Sequence, residues 1–205
     1  MSIVFNPSGA SNEELLARFD QGRDQAAFAE LVRRHGPMVK STVQRILHNR
    51  SDAEDAFQAT FFALAKASSQ IKNKASVGAW LHRAAMNSAL QICRSNKTLH
   101  ANSTFEEQVT VMPDSDSNSQ QQLVLKEEIS QILDEEIDRL SEQLRIPLVM
   151  CDLEGVPQKD VAKQLNLPST TVRSRLLKAR QLLRERLFRR GITVTLAGLG
   201  AFLAS

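Results

Sequence analysis

Glycine and proline are scarce in this chain, at 8 and 6 among 205 residues. No stretch sustains the apolar–polar alternation of a half-buried strand. Leu, Ala, Glu, Lys, Arg and Gln are plentiful instead, and these favour helix. The expected fold is therefore all-α. The same shortage leaves no glycine-rich phosphate loop. The 4 histidines, His35, His48, His82 and His100, show no metal-ligand spacing, and no nucleophile motif is present. The expectation is a non-enzyme with no catalytic residues, no metal and no cofactor. The 2 cysteines, Cys93 and Cys151, sit in apolar helical patterns without a neighbouring Cys or His, as reduced core residues do. No charged start followed by an apolar run opens the chain, so no secretory signal is expected and the protein reads as cytoplasmic. The tail "ITVTLAGLGAFLAS" is apolar but shorter than the roughly 20 residues a spanning helix needs. Docking on the preceding domain is the favoured reading of that tail, with membrane contact and disorder as alternatives.

What is present is 42% hydrophobic residues, enough for a core, in a helical order that divides in two. Ser11 and Glu14 have capping-box spacing ahead of Leu15, Leu16 and Phe19. Asp24 is placed to cap a second helix with Phe28, Leu31 and Val32. Gly36 and Pro37 predict a stop and a restart, with Met38, Val39, Val43, Ile46 and Leu47 on a third helix. Ser51 and Glu54 predict another capping box, opening a helix with Phe57, Phe61 and Leu64 on its buried stripe. A further helix starts near Val77. Trp80, Arg83, Asn87 and Arg94 form its polar stripe, with Trp80 read as a packing anchor at the domain edge.

From Asn96 to about Leu125 the periodicity fails in a run rich in Ser, Asn, Asp and Gln, which predicts a flexible linker. Helical patterning then resumes, with a kink expected at Pro147 and a stop at Gly155. The expected organisation is a helical domain over 11–96, a linker over 97–125, a second helical domain over 126–190 and an apolar tail over 191–205.

Net charge is only +3, but it is uneven. From Val156 to Arg190 basic residues are opposed only by Asp160 and Glu185, whereas Glu106 to Asp138 is acidic. A basic block of this kind suits a polyanion. Within it, "KQLNLPSTTVRSRLLKAR" breaks one helix and starts another. Asn166 tolerates the left-handed conformation of a helix C-cap. Pro168 cannot continue the first helix, and Ser169 is placed to cap the second. Two helices joined so tightly form a helix-turn-helix. On the second helix Val172, Leu176, Ala179 and Leu183 share one stripe, while Thr170, Ser174, Leu177 and Gln181 fall opposite, flanked by Arg173 and Lys178. Such a face fits the major groove, and the plainer alternative is a solvated basic surface. Arg175 points nearer the core and reads as a phosphate contact or an internal salt bridge.

Three segments, "DAEDAFQATF", "WLHRAAMN" and "DLEGVPQKDVAKQLNLPSTTVRSRLLKAR", resemble in order those of bacterial RNA polymerase sigma factors of the extracytoplasmic-function class, in forms similar to planctomycete versions. The resemblance implies core RNA polymerase and promoter DNA as partners, with an anti-sigma factor as a further candidate. It implies core polymerase binding by Glu54, Asp55 and Gln58. It implies −10 DNA binding and strand opening by Lys72, Asn73, Lys74, Arg83 and Asn87. It implies −35 DNA binding by Ser169, Thr170, Arg173, Ser174, Leu177 and Lys178. The acids of the linker would then either mimic nucleic acid in the polymerase or serve solubility. Four positions depart from the family pattern: Ala59 where Glu is frequent, His82 where Tyr is common, Pro157 in place of a Ser cap, and Asn166 in place of Gly. The competing function is a free-standing helix-turn-helix regulator, which would need neither a melting helix nor a polymerase-binding helix.

Overall fold

A computed structural model describes residues 6–71, 73–102, 129 and 131–193. These residues are helical with no strand among them. Helix α1 spans Asn12–Gly22, and its start is the expected capping box. Ser11 Oγ accepts from Glu14 N at 3.2 Å, and Ser11 N donates to Glu14 Oε2 at 2.7 Å. Asp24 caps α2 by accepting from the backbone of Ala26 and Ala27.

Helix α2 runs unbroken from Gln25 to Ile46, straight through Gly36 and Pro37, so the expected stop and restart do not occur. Proline removes one intrahelical donor, a loss that tertiary packing can override. Leu31, His35, Met38 and Val39 are buried on both sides of it. Gly36 also lies against the Phe57 ring, 3.8 Å from where a Cβ would stand.

Helix α3 spans Arg50–Ala67 and begins earlier than a Ser51 cap would place it. Asn49 is the cap, accepting from Ser51 N at 2.8 Å and Asp52 N at 3.3 Å. Glu54 bonds Arg50 instead of closing a box. Helix α4 covers Val77–Asn102, past the boundary expected near residue 96. These helices share one core built on Leu15, Leu16, Leu31, Val39, Leu64 and Leu81. Trp80 packs at its edge, as expected of an anchor.

The second core collects Ile137 of α5 (131–138), Leu148 of α6 (Glu142–Leu148), Val161 of α7 (Gln158–Gln164), and Val172, Leu176 and Leu183 of α8 (Ser169–Arg189). Beyond Pro147 the α6 helix widens into a π-turn over Val149–Leu153, where Glu154 N donates to Val149 O at 3.0 Å. Gly155, at φ 68°, ends it. Most of the expected linker and all of the tail from residue 194 lie outside the described residues.

The second domain rests on the first. Asp134 of α5 receives Arg45 of α2 at 2.7 and 2.9 Å and His82 of α4 at 3.1 Å. Glu154 reaches His35 of α2 at 2.6 Å. Part of the acidic run is thus structural. Asp134 and Glu136 are buried, and Glu136 also pairs with Arg139, Arg186 and Arg190.

Candidate nucleic-acid interface

The turn between α7 and α8 is set by backbone chemistry. Asn166 adopts φ 51°, the left-handed position read from the sequence. Leu167 N donates to Ala162 O at 2.9 Å and Asn166 N to Lys163 O at 3.2 Å. This pair of bonds is a Schellman motif, which satisfies the last carbonyls of α7. The chain then turns through Pro168 into α8. Pro168 holds the N-cap position without a side-chain cap, so Ser169 is a first-turn residue and not the expected cap. Its hydroxyl is exposed and free of that duty.

On α8 the two stripes separate as expected. Val172, Leu176, Ala179 and Leu183 are buried, while Ser169, Thr170, Arg173, Ser174, Leu177 and Lys178 are exposed. Ser174 Oγ donates to Thr171 O at 3.0 Å, which leaves its lone pairs facing outward as acceptors. Leu177 is 52% exposed, an apolar spot among polar groups that suits a thymine methyl. Arg173 and Lys178 have no ion-pair partner among the described residues. Arg180, by contrast, turns inward and grips Asp152 with bonds of 3.0 and 2.6 Å. Arg175 is half-buried and lines a cleft with Asn73, Glu142 and Pro147. Of its two proposed uses, no salt bridge is formed among the described residues.

In the first domain Glu54, Asp55 and Gln58 project together from the exposed side of α3. The Arg50–Glu54 pair, at 3.0 Å, is well exposed on both sides, so it leaves Glu54 available at little cost. A hollow between α2 and α3, lined by Lys40, Gln44, Arg50, Glu54 and Phe57, lies beside this face. Ala59 is exposed there too, where a Glu would add a polar contact.

The residues that the resemblance implies for −10 binding are held in different ways. Asn73 is exposed, and Lys74 is tied to Asp20 at 3.0 Å. Lys72 lies outside the described residues. Arg83 and Asn87 are exposed one turn apart on α4, and Arg83 donates to Asp138 of the second domain at 2.7 Å. His82, which stands where Tyr is common in the family, is fully buried and bonded to Asp134. Burial opposes the charge on Asp134, but His82 and Arg45 outweigh it and hold the carboxyl below its usual range. Sequence reasoning missed His35, Arg45, Asp134 and Glu154 as a set. The partners lie 89 and 119 positions apart, and no local pattern joins them.

Comparison with known proteins accounts for both domains. Residues 31–98 match the family profile "Sigma-70 region 2", and residues 130–183 match "Sigma-70, region 4". The chain is 33% identical over 172 residues to the ECF RNA polymerase sigma factor SigE of Mycolicibacterium smegmatis, covering 82% of this chain and 66% of that protein. It is 27% identical over 175 residues to the RNA polymerase sigma-H factor of Pseudomonas aeruginosa, covering 83% and 90% respectively. It is 27% identical over 184 residues to the ECF RNA polymerase sigma-E factor of Haemophilus influenzae, covering 86% and 95%. A solved structure, CnrH in complex with the cytosolic domain of CnrY, aligns with a TM-score of 0.42 at 22% identity, covering 88% of this chain and 99% of that one. No helix among the described residues is long and apolar enough to cross a membrane. With region 2 and region 4 in order, and this similarity running through most of its length, the chain belongs to the extracytoplasmic-function class of RNA polymerase sigma factors.

Proposed function

We propose that this sigma factor divides its work over three exposed faces. The α3 face, Glu54, Asp55 and Gln58, docks on core RNA polymerase. The α8 face reads the −35 element, with Arg173 forming the bidentate contact to a guanine, Lys178 on phosphate, and Ser169, Thr170, Ser174 and Leu177 completing the surface. The segment Lys72, Asn73 and Lys74, with Arg83 and Asn87, holds the non-template strand at −10 as the duplex opens. The chain acts in the cytoplasm, on polymerase and promoter together.

The observation that carries this reading is the separation of stripes on α8. The apolar stripe is fully buried, and every residue assigned to −35 is exposed on the other side. A buried stripe alone would build any hairpin. An outward row of Arg, Ser and Lys with spare donors and acceptors supplies what base edges require. Two DNA-binding domains on one chain also gain from each other, because the second contact is intramolecular once the first is made. A free-standing regulator would have no use for the α3 face or the melting segment.

The test is transcription with core polymerase on duplex and premelted templates. Asp55→Ala with Gln58→Ala should weaken core binding in a titration while −35 recognition persists. Asn73→Ala with Asn87→Ala should lower opening of duplex promoters and be partly rescued by a premelted bubble. Unchanged core affinity in the first variant, or equal losses on both templates in the second, would reject the respective assignment.

A further inference from the structure

Between α3 and α4 the chain makes two short 3-10 turns, Ser68–Gln70 and Lys74–Ser76, with Ile71 between them buried in the first core. The end of α1 grips this connection and the last turn of α3 at three points. Arg23, the left-handed residue that closes α1, donates to Ala65 O at 3.2 Å. The two oxygens of the Asp20 carboxylate take different partners. Oδ1 accepts from the buried Ser68 hydroxyl, and Oδ2 accepts from Lys74 Nζ at 3.0 Å. The Asp20 side chain is 16% exposed and that of Lys74 31%, so salt screens this pair less than one at the open surface.

Asn73 lies between the two tether points, Ser68 and Lys74. Its carbonyl accepts from Ser76 N at 3.1 Å and from Ser76 Oγ at 2.9 Å, and Ser76 is itself buried. The backbone of Asn73 is therefore fixed while the residue stays exposed. A carboxamide offers two donors and an acceptor, which suit the edge of an unpaired base. A carboxylate repels phosphate, so Asp20 is not itself a contact to the strand.

We propose that Asp20 is the positioning residue of the −10 segment: through Ser68 and Lys74 it fixes the loop so that Asn73 meets one base of the non-template strand in a single orientation. The inference rests on the assignment of Asn73 to that strand, and it separates the duties of two neighbours. Lys74 spends its charge on Asp20 and orders the loop, while Asn73 does the reading. A contact group discriminates only when its supporting residues hold it to within about 0.5 Å. Without the tie the loop samples other positions, in which the amide bonds any base or none. If Asp20 instead merely occupied a phosphate-binding lysine, removing it would strengthen strand binding, a change of opposite sign.

The experiment uses holoenzyme, made from core polymerase and the full chain, on templates that are duplex upstream and single-stranded over the non-template −10 segment. The parent promoter is selected by wild-type holoenzyme from a library randomised at −10, and each unpaired position is then varied through the four bases. Asp20→Ala and Lys74→Met should each lower the base preference at the position read by Asn73 by about fivefold or more. The double variant should be no worse than either alone, since both break the same tie. The slope of log affinity against log salt should keep its wild-type value, because neither group meets phosphate. Asp20→Asn, isosteric and still able to accept from Ser68, should lower the preference too, and it decides the matter with Lys74→Met if Asp20→Ala fails to fold by circular dichroism. Unchanged preference in the folded variants would overturn the proposal. So would an equal loss on all four bases, which would leave Asp20 a role in stability alone. Tighter binding by Asp20→Ala with a slope steeper by about 0.7 would show Lys74 to be a phosphate contact that Asp20 restrains. Asn73→Ala separates the two levels: if it keeps the full base preference, the underlying −10 assignment fails, whereas a flattened preference there with an unaffected Asp20→Asn sinks the positioning role only.

Discussion

Arg180 and Asp152 form a two-pronged ion pair whose members differ in their access to water. The Asp152 side chain is 5% exposed, while that of Arg180 is 31% exposed. Removing Asp152 frees a guanidinium that can turn toward solvent. Removing Arg180 strands a buried carboxylate, which is the costlier outcome. Arg180→Ala should therefore destabilise the fold by about 3 kcal/mol and Asp152→Ala by only about 1–2 kcal/mol, read from urea unfolding midpoints. The reverse order would mean that Arg180 contributes mainly packing. Next to this pair, burial pushes the Cys151 thiol up to about 11, reinforced by the Asp152 charge and opposed by Arg180. An acid with a raised pKa stays neutral below it, so only about a thousandth of Cys151 is thiolate at pH 8. Iodoacetamide labelling of the folded protein, followed by mass spectrometry, should be slow at pH 8 and up to about a hundredfold faster at pH 10. Residue chemistry of the exposed kind was legible in advance: Glu54, Asp55, Gln58, Arg173 and Lys178 are all where helical periodicity puts them. The Arg180 pair was not legible, because its partner lies 28 positions back on another element.

Helix boundaries show the same division between local and distant causes. The Ser11 box, the Asp24 cap and the left-handed Asn166 are settled within a few residues, and periodicity with capping chemistry finds them. Helix α2 crosses Gly36 and Pro37 because packing on both sides of that point overrides a local breaking signal. Asn49 caps α3 although Ser51 and Glu54 have the better-known spacing, and both readings use the same turn chemistry two residues apart. At Asn166 the backbone demand can be tested. A residue with a Cβ and no short polar side chain is penalised in the left-handed region by roughly 1–2 kcal/mol. Asn166→Ala should lower stability by about 1 kcal/mol, and Asn166→Gly should leave it within about 0.5 kcal/mol, by chemical denaturation. Equal losses in the two variants would mean that the Asn side chain, not its backbone conformation, holds the turn.

At the scale of the whole molecule, the basic block of the second domain splits into two populations that composition treats alike. Arg180, Arg186 and Arg190 are spent on Asp152, Glu135 and Glu136, inside or beside the core. Arg173 and Lys178 face outward on the recognition helix with no carboxylate partner among the described residues. Counting charges along the chain therefore overstates how many phosphates this domain can neutralise. Each phosphate contact releases counterions and adds about 0.9 to the slope of log affinity against log salt. Lys178→Ala should lower that slope by about 1 and weaken all −35 sequences alike. Arg173→Ala should instead flatten the preference at one base position, since a good bidentate contact discriminates by about 1–3 kcal/mol. Arg186→Ala should leave both slope and base preference unchanged, and lower stability through the loss of its contact to Glu136. The measurement is holoenzyme binding to a series of single-base −35 variants at several salt concentrations, with core polymerase contributing equally throughout. A slope that drops as much for Arg186→Ala as for Lys178→Ala would show that the inward arginines reach DNA after all. Full retention of base preference in Arg173→Ala would show that α8 lies in the groove on a different face.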